Sequence, residues 1–189
     1  RTTNRRTSDN RVGKSMTLFN TVVLDDISEA AAILRRGGLV AFATETVFGL
    51  GADATNKDAL EKLFFAKGRP SDNPLIVHVA AVNQWPTVAR SMPVIAERLL
   101  AKFAPGPLTV VLPKHPKICD SVTAGLDTVG LRIPNHPRAR SLLADAGVPI
   151  AAPSANRSGM PSATTWQTVL EDLDGRIDAV LRGSTCSIG

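Results

Sequence analysis

The chain has 189 residues, of which 43% are hydrophobic and 21% charged, with a formal net charge of +5. These proportions fit one water-soluble globular domain and exclude wholesale disorder, a collagen-like repeat and a disulfide scaffold. No apolar run approaches the ~18 residues that a membrane span needs, and in residues 1–14 five basic side chains against Asp9 account for +4 of the charge.

Residues 1–20 therefore read as a basic, flexible tail, and residues 21–189 as the folded, nearly neutral domain. Such a tail offers weak contact with phosphate polymers, RNA included. It contains no apolar segment that could act as a signal-peptide core. Cys119 and Cys186 form no CxxC pair, which suits a reducing, cytoplasmic setting.

In chain order, Asp25, Asp26 and Ser28 open a helix whose Ala-rich body ends at Gly37-Gly38. The apolar run 39–43 reads as a buried strand. Asn56 caps a helix over 57–67, with Leu60, Leu63 and Phe64 on one face. A strand follows at 75–79, a helical stretch at 83–90, and a helix over 93–103 with Pro93 at its start. Strands at 108–112 and 128–133 are closely spaced and read as separated by no helix, so part of the sheet is expected to be antiparallel. A helix over 137–146 stops at Gly147, before a short strand at 149–152. A helix at 165–173 and a strand at 179–181 complete the alternation, which predicts an α/β domain with a mixed parallel and antiparallel sheet flanked by helices.

Ligands of open α/β sheets sit in the connections that follow strands. Three connections qualify. The first, 44–54, contains Gly49-x-Gly51-x-x-Ala54, close to a dinucleotide fingerprint, but no carboxylate follows at the end of the next strand. Tight-turn glycines explain it as well. In the second, 67–74, Lys67 and Arg69 stand at a helix C-terminus, just before Pro70. They either offset the helix dipole or, on a loop stiffened by proline, clamp an anion, with Asn73 adding an amide. The third, 153–162, offers Ser154, Asn156, Ser158, Gly159 and Ser162, as ordinary turn formers or as small polar groups against a nucleotide. His78, His115 and His136 lack zinc spacing, and no GxSxG elbow or P-loop occurs. A site built from these residues would position anions and stabilise charge without a protein nucleophile.

The segments FATETVFGLGADA, KGRPSDNPLIVHV, FAPGPLTVVL, TVGLRIP and PIAAPSANRSGMPS occur in the order and spacing of the YrdC-like family of threonylcarbamoyl-AMP synthases, which the chain resembles from about Thr21 to Gly189. The resemblance implies a twisted sheet with a large concave cavity. It implies a reaction of L-threonine, bicarbonate or CO2, and ATP with Mg2+, giving L-threonylcarbamoyl-AMP and pyrophosphate. That product is passed to the machinery that makes threonylcarbamoyladenosine in tRNA. By the same register, the Lys-Arg-Ser-Asn tetrad falls on Lys67, Arg69, Ser154 and Asn156. ATP would meet Lys67, Arg69, Asn73, Thr128, Ser154, Asn156 and Ser162. Threonine would meet Thr46, His78, Arg132 and the backbone of Ala152. Arg132 and His78 interrupt apolar strand runs, where a polar group needs a partner. A substrate carboxylate would be a natural one for Arg132, whereas His78 alone also reads as a satisfied core residue.

Ala43 and Phe48 depart from the family's Pro and Tyr. The family domain also continues into an E-S-T-V strand and an R-P-G segment beyond the GSTCSIG end, so the sequence reads as truncated at its C-terminus. Two other functions fit the same residues: an RNA-binding module without catalysis, and a carbamoyl-adenylating domain of related fold.

Overall fold

The computed structural model describes residues 20–68, 70 and 72–186. The basic tail, apart from Asn20, and Arg69 lie outside them.

The strands are β1 (Val22–Leu24), β2 (Val40–Ala43), β3 (Phe48–Asp53), β4 (Ile76–His78), β5 (Thr109–Pro113), β6 (Thr128–Arg132), β7 (Ile150–Ala151) and β8 (Ala179–Leu181). They form one sheet in the order β1-β8-β2-β3-β7-β4-β6-β5. The pairs β1/β8, β2/β8 and β4/β6 are parallel, and the rest antiparallel, β5/β6 among them, although a short helix at Asp120–Thr123 does separate those two strands.

The helices are α1 (Ile27–Arg35), α2 (Lys57–Lys67), α3 (Val94–Phe103), α4 (Asp120–Thr123), α5 (Pro137–Ala146) and α6 (Trp166–Leu173). Local chemistry sets their ends. The Asp26 carboxylate accepts from the N–H groups of Ser28 and Glu29, and the Asn56 side chain accepts from Ala59 N–H. Gly68 closes α2 at φ 61°, a left-handed conformation that turns the chain back toward β4.

Three differences from the sequence reading have physical causes. The segment over 83–90 is a 3-10 helix, Val82–Thr87, containing Pro86, whose missing N–H breaks an α ladder. Pro93 caps α3 from outside instead of starting it. Most of the supposed connection 44–54 is strand β3. Gly49 and Gly51 pair with Phe42 and Val40 inside the sheet. A Cβ on Gly51 would stand 3.0 Å from both Ile150 Cγ2 and Phe42 Cε1. Close packing, not a phosphate turn, explains that glycine, and the fingerprint reading falls with it.

Two cores flank the sheet. Leu60 and Leu63 of α2, Leu100 of α3, and Val169 and Leu173 of α6 bury one face. On the other, Ala30 and Leu34 of α1 and Leu142 and Leu143 of α5 pack on Val40, Phe42, Ala179 and Leu181. This second layer covers the β1-β8-β2 half. The same face continues over β4 and β6 with Thr128 exposed and, on β5, Val111 at 68% exposure. The candidate site occupies this open half.

Candidate functional site

His78 ends β4 and Arg132 ends β6, and the two are paired in the parallel register. Both therefore point to the same face of the sheet. Beside them, the β2–β3 turn brings in Thr44 and Thr46, and the chain leaving β7 brings in Ala152. The Thr44 hydroxyl accepts from the N–H groups of Thr46 and Val47 and donates to the Val47 carbonyl at 2.7 Å, which fixes this turn. Together with Ser154 these residues line a cleft of about 260 Å³ with an apolar wall of Val47, Pro74, Leu75 and Ile76.

A second cleft, of about 290 Å³, is lined by Lys67, Pro70, Asp72, Asn73, Ser154, Asn156, Ser158 and Gly159. Ser154 borders both. The first cleft runs along β4, from Pro74 to His78, and the second lies at Asn73, just before the strand begins. The second cleft is built from the connections 67–74 and 153–162 that the sequence pointed to, whereas the first also draws on strand residues, Ile76, His78 and Arg132, on the face of the sheet.

Lys67 is 2% exposed. Its ammonium donates to the Ser154 carbonyl, and to the Asn156 carbonyl at 2.6 Å. Ser158 N–H donates back to the Lys67 carbonyl at 2.9 Å. The end of α2 and the 153–160 loop are therefore pinned through one residue, by its ammonium and its carbonyl, which answers the helix-dipole reading for Lys67. The Asn156 amide N–H groups donate to the carbonyls of Arg157 and Met160, both at 2.8 Å. Its buried Oδ1 has no partner among the described residues, and the residue lines the second cleft.

Arg132 is not waiting for a carboxylate: it has one. Its Nη2 donates to Glu45 Oε1 at 2.7 Å and to Thr46 Oγ1 at 3.2 Å. Glu45 Oε2 accepts from Asn135 N–H at 3.1 Å. Glu45 was absent from the sequence reading of the site. The signal that could have found it is a glutamate inside a threonine-rich turn between two buried strands, an expensive place for a charge without a partner.

His78 is buried, and its Nδ1 has no partner among the described residues. Burial first, then the Arg132 charge, lowers its pKa to about 3, against a contact with the Ile76 backbone that raises it. The ring is neutral at ordinary pH and cannot pair with a carboxylate as a cation. The unfolded chain binds a proton at this histidine near pH 6.5, whereas the native state does not. Its contribution is therefore full above about pH 6.5 and is lost as pH falls toward 3, at up to about 1.4 kcal/mol per pH unit. Urea midpoints measured from pH 7.5 to 4 should fall more steeply in the wild type than in His78→Gln. Parallel curves would contradict this assignment.

Two other histidines are structural. His136 caps α5 by accepting from Ala139 N–H, and His115 accepts from Lys117 N–H. Burial pushes both free thiols, Cys119 and Cys186, above their ordinary value, which does not suit a nucleophile.

Of the residues named from sequence, Thr46, His78, Arg132, Ala152 and Ser154 meet in the first cleft, and Lys67, Asn73, Ser154 and Asn156 in the second. Arg69 lies outside the described residues. Thr128 and Ser162 are exposed and line neither cleft, although Thr128 shares the face of Arg132, four residues earlier on β6. Among the described residues no group of three His, Cys, Asp or Glu side chains is placed to hold a metal, and no helix is long and apolar enough to cross a membrane.

Residues 32–189 match the Sua5/YciO/YrdC family model, described as "Telomere recombination". The chain is 52% identical over 164 residues to a threonylcarbamoyl-AMP synthase of Bacillus subtilis, covering 86% of this chain and 47% of that protein. It is 32% identical to a threonylcarbamoyl-AMP synthase of Vibrio parahaemolyticus, covering 86% of this chain and 89% of that one. The structure of Pyrococcus abyssi Sua5 complexed with L-threonine matches with a TM-score of 0.84 at 46% identity, over 92% of this chain and 52% of that one. The chain thus spans about half the length of several curated relatives, and most of the length of others.

Proposed function

Because the chain belongs to the Sua5/YciO/YrdC family, we propose that it catalyses formation of L-threonylcarbamoyl-AMP and pyrophosphate from L-threonine, bicarbonate or CO2, and ATP. The observation that carries the reading is the meeting of two unlike clefts at Ser154. One, with Arg132, Thr46 and an apolar wall, suits a small amino acid. The other, with Lys67, Asn73 and Asn156, suits a triphosphate.

In this reading the threonine carboxylate lies against Arg132 and its side chain against Val47 and Ile76. The amine takes up CO2 and loses a proton, giving a carbamate. A carbamate oxygen then attacks the α-phosphorus of ATP, the bond to the β-phosphate oxygen breaks, and pyrophosphate leaves. Lys67 and Arg69 offset the negative charge, and Ser154, between the clefts, keeps the two partners in line. Mg2+ enters with the triphosphate as part of the substrate and adds charge neutralisation there. No protein nucleophile takes part. The product, an activated acyl donor, serves threonylcarbamoyladenosine formation in tRNA, which places the reaction in the cytoplasm.

The test is ATP–pyrophosphate exchange that depends on both threonine and bicarbonate. Arg69→Ala should lose at least ~10²-fold of it, the scale of one preorganised charge contact. Near-normal exchange in that variant would remove Arg69 from the mechanism. Exchange that runs on carbamoyl phosphate without threonine would overturn the choice of substrate.

A further inference from the structure

We propose that Glu45 is a positioning residue for amino-acid binding: it holds the Arg132 guanidinium in one orientation before any ligand arrives. The inference rests on the amino-acid reading of the first cleft. Glu45 is 5% exposed and does not line that cleft, whereas Arg132 and Thr46 do. Its two oxygens reach different elements. One accepts from Arg132 at the end of β6, and the other from the backbone N–H of Asn135, on the way into α5. The carboxylate is thus a crosslink between the β2–β3 turn and the β6–α5 connection, with the guanidinium held between it and the cleft.

A free arginine side chain has many rotamers to lose when a ligand fixes it. Held by Glu45 and by the Thr46 hydroxyl, Arg132 loses that freedom during folding, so ligand binding does not have to supply it. The pair also cancels its own charge, which lets a cation sit at 12% side-chain exposure without a ligand.

The sign of one substitution separates this role from simple charge balance. Removing the Glu45 charge makes the cleft more positive, and Coulomb attraction alone would then tighten the hold on a carboxylate. Positioning predicts the reverse. In Glu45→Gln, the Kd for L-threonine by calorimetry without ATP should rise about 10-fold, and KM for threonine with it. At saturating threonine kcat should stay within about 2-fold, because the group acts on binding and not on the reacting atoms. Unchanged or tighter threonine binding in the folded variant would overturn the proposal, as would a fall in kcat with KM unchanged. Should Glu45→Gln not fold, Glu45→Asp carries the same expectation, since the shorter side chain cannot span Arg132 and Asn135 together.

Failure of the underlying reading looks different: the wild type itself would not bind threonine. The positioning claim is then read from the Arg132 side-chain N–H signals in NMR. They should be rigid in the wild type and mobile in Glu45→Gln, and equal mobility in the two would overturn it.

Discussion

Replacing Lys67 by Met should reduce threonine-dependent ATP–pyrophosphate exchange by at least about 10³-fold. Two losses combine in this variant. The first is a cation beside the second cleft, which in the proposed reaction meets the charge of the triphosphate. The second is the pin itself, since Lys67 holds the Ser154 and Asn156 carbonyls from within the protein. A methionine of similar length fills the space but donates nothing. The Ser154 carbonyl keeps the Asn156 N–H, but the buried Asn156 carbonyl is left unpaired, at a cost of about 1–3 kcal/mol, so the urea midpoint should fall as well. Ser154 and Asn156 would then move relative to the amino-acid cleft, and a misplacement of ~1 Å is worth about 10²-fold by itself. Exchange within tenfold of wild type would show that Lys67 is only a structural pin whose loss the loop absorbs.

Arg132→Met should abolish detectable threonine binding and also destabilise the fold. It leaves Glu45 as a buried carboxylate without its guanidinium, a loss of about 3–5 kcal/mol in comparable buried pairs. The double variant Glu45→Leu, Arg132→Met separates the two effects. Apolar residues of similar volume remove both charges, so most of the stability should return, while threonine binding should not. Urea denaturation and calorimetry on the single and double variants check this. Recovery of binding in the double variant would place the amino-acid carboxylate elsewhere.

The helices were legible where local chemistry decides. The caps at Asp26 and Asn56 and the stop at Gly147 mark their ends in the sequence, and α2 and α5 have the expected bounds. The alternating α/β order followed. The strand β3 was not legible, because Gly49, Gly51 and Asp53 carry turn chemistry in isolation. Only the neighbours Phe42 and Ile150, brought by other strands, make small residues necessary there. The polar interruptions at His78 and Arg132, each breaking an apolar run, pointed to two residues that line one cleft. What met them was not readable from spacing. Glu45 lies 87 residues from Arg132, and the parallel β4/β6 register that sets His78 beside Arg132 is a long-range fact. The role of Asn156 was legible only in part. The sequence offers an amide, whereas the fold commits its N–H groups to the loop and leaves the oxygen.

The central claim is that the two clefts bordering Ser154 work as one site for an amino acid and a nucleotide. A crystal structure of this chain soaked with ATP and L-threonine tests it most directly. The account predicts the threonine carboxylate on Arg132 and the triphosphate beside Lys67, with continuous density crossing Ser154. Nucleotide or amino acid bound away from these clefts, or clefts left empty at saturating ligand, would contradict it.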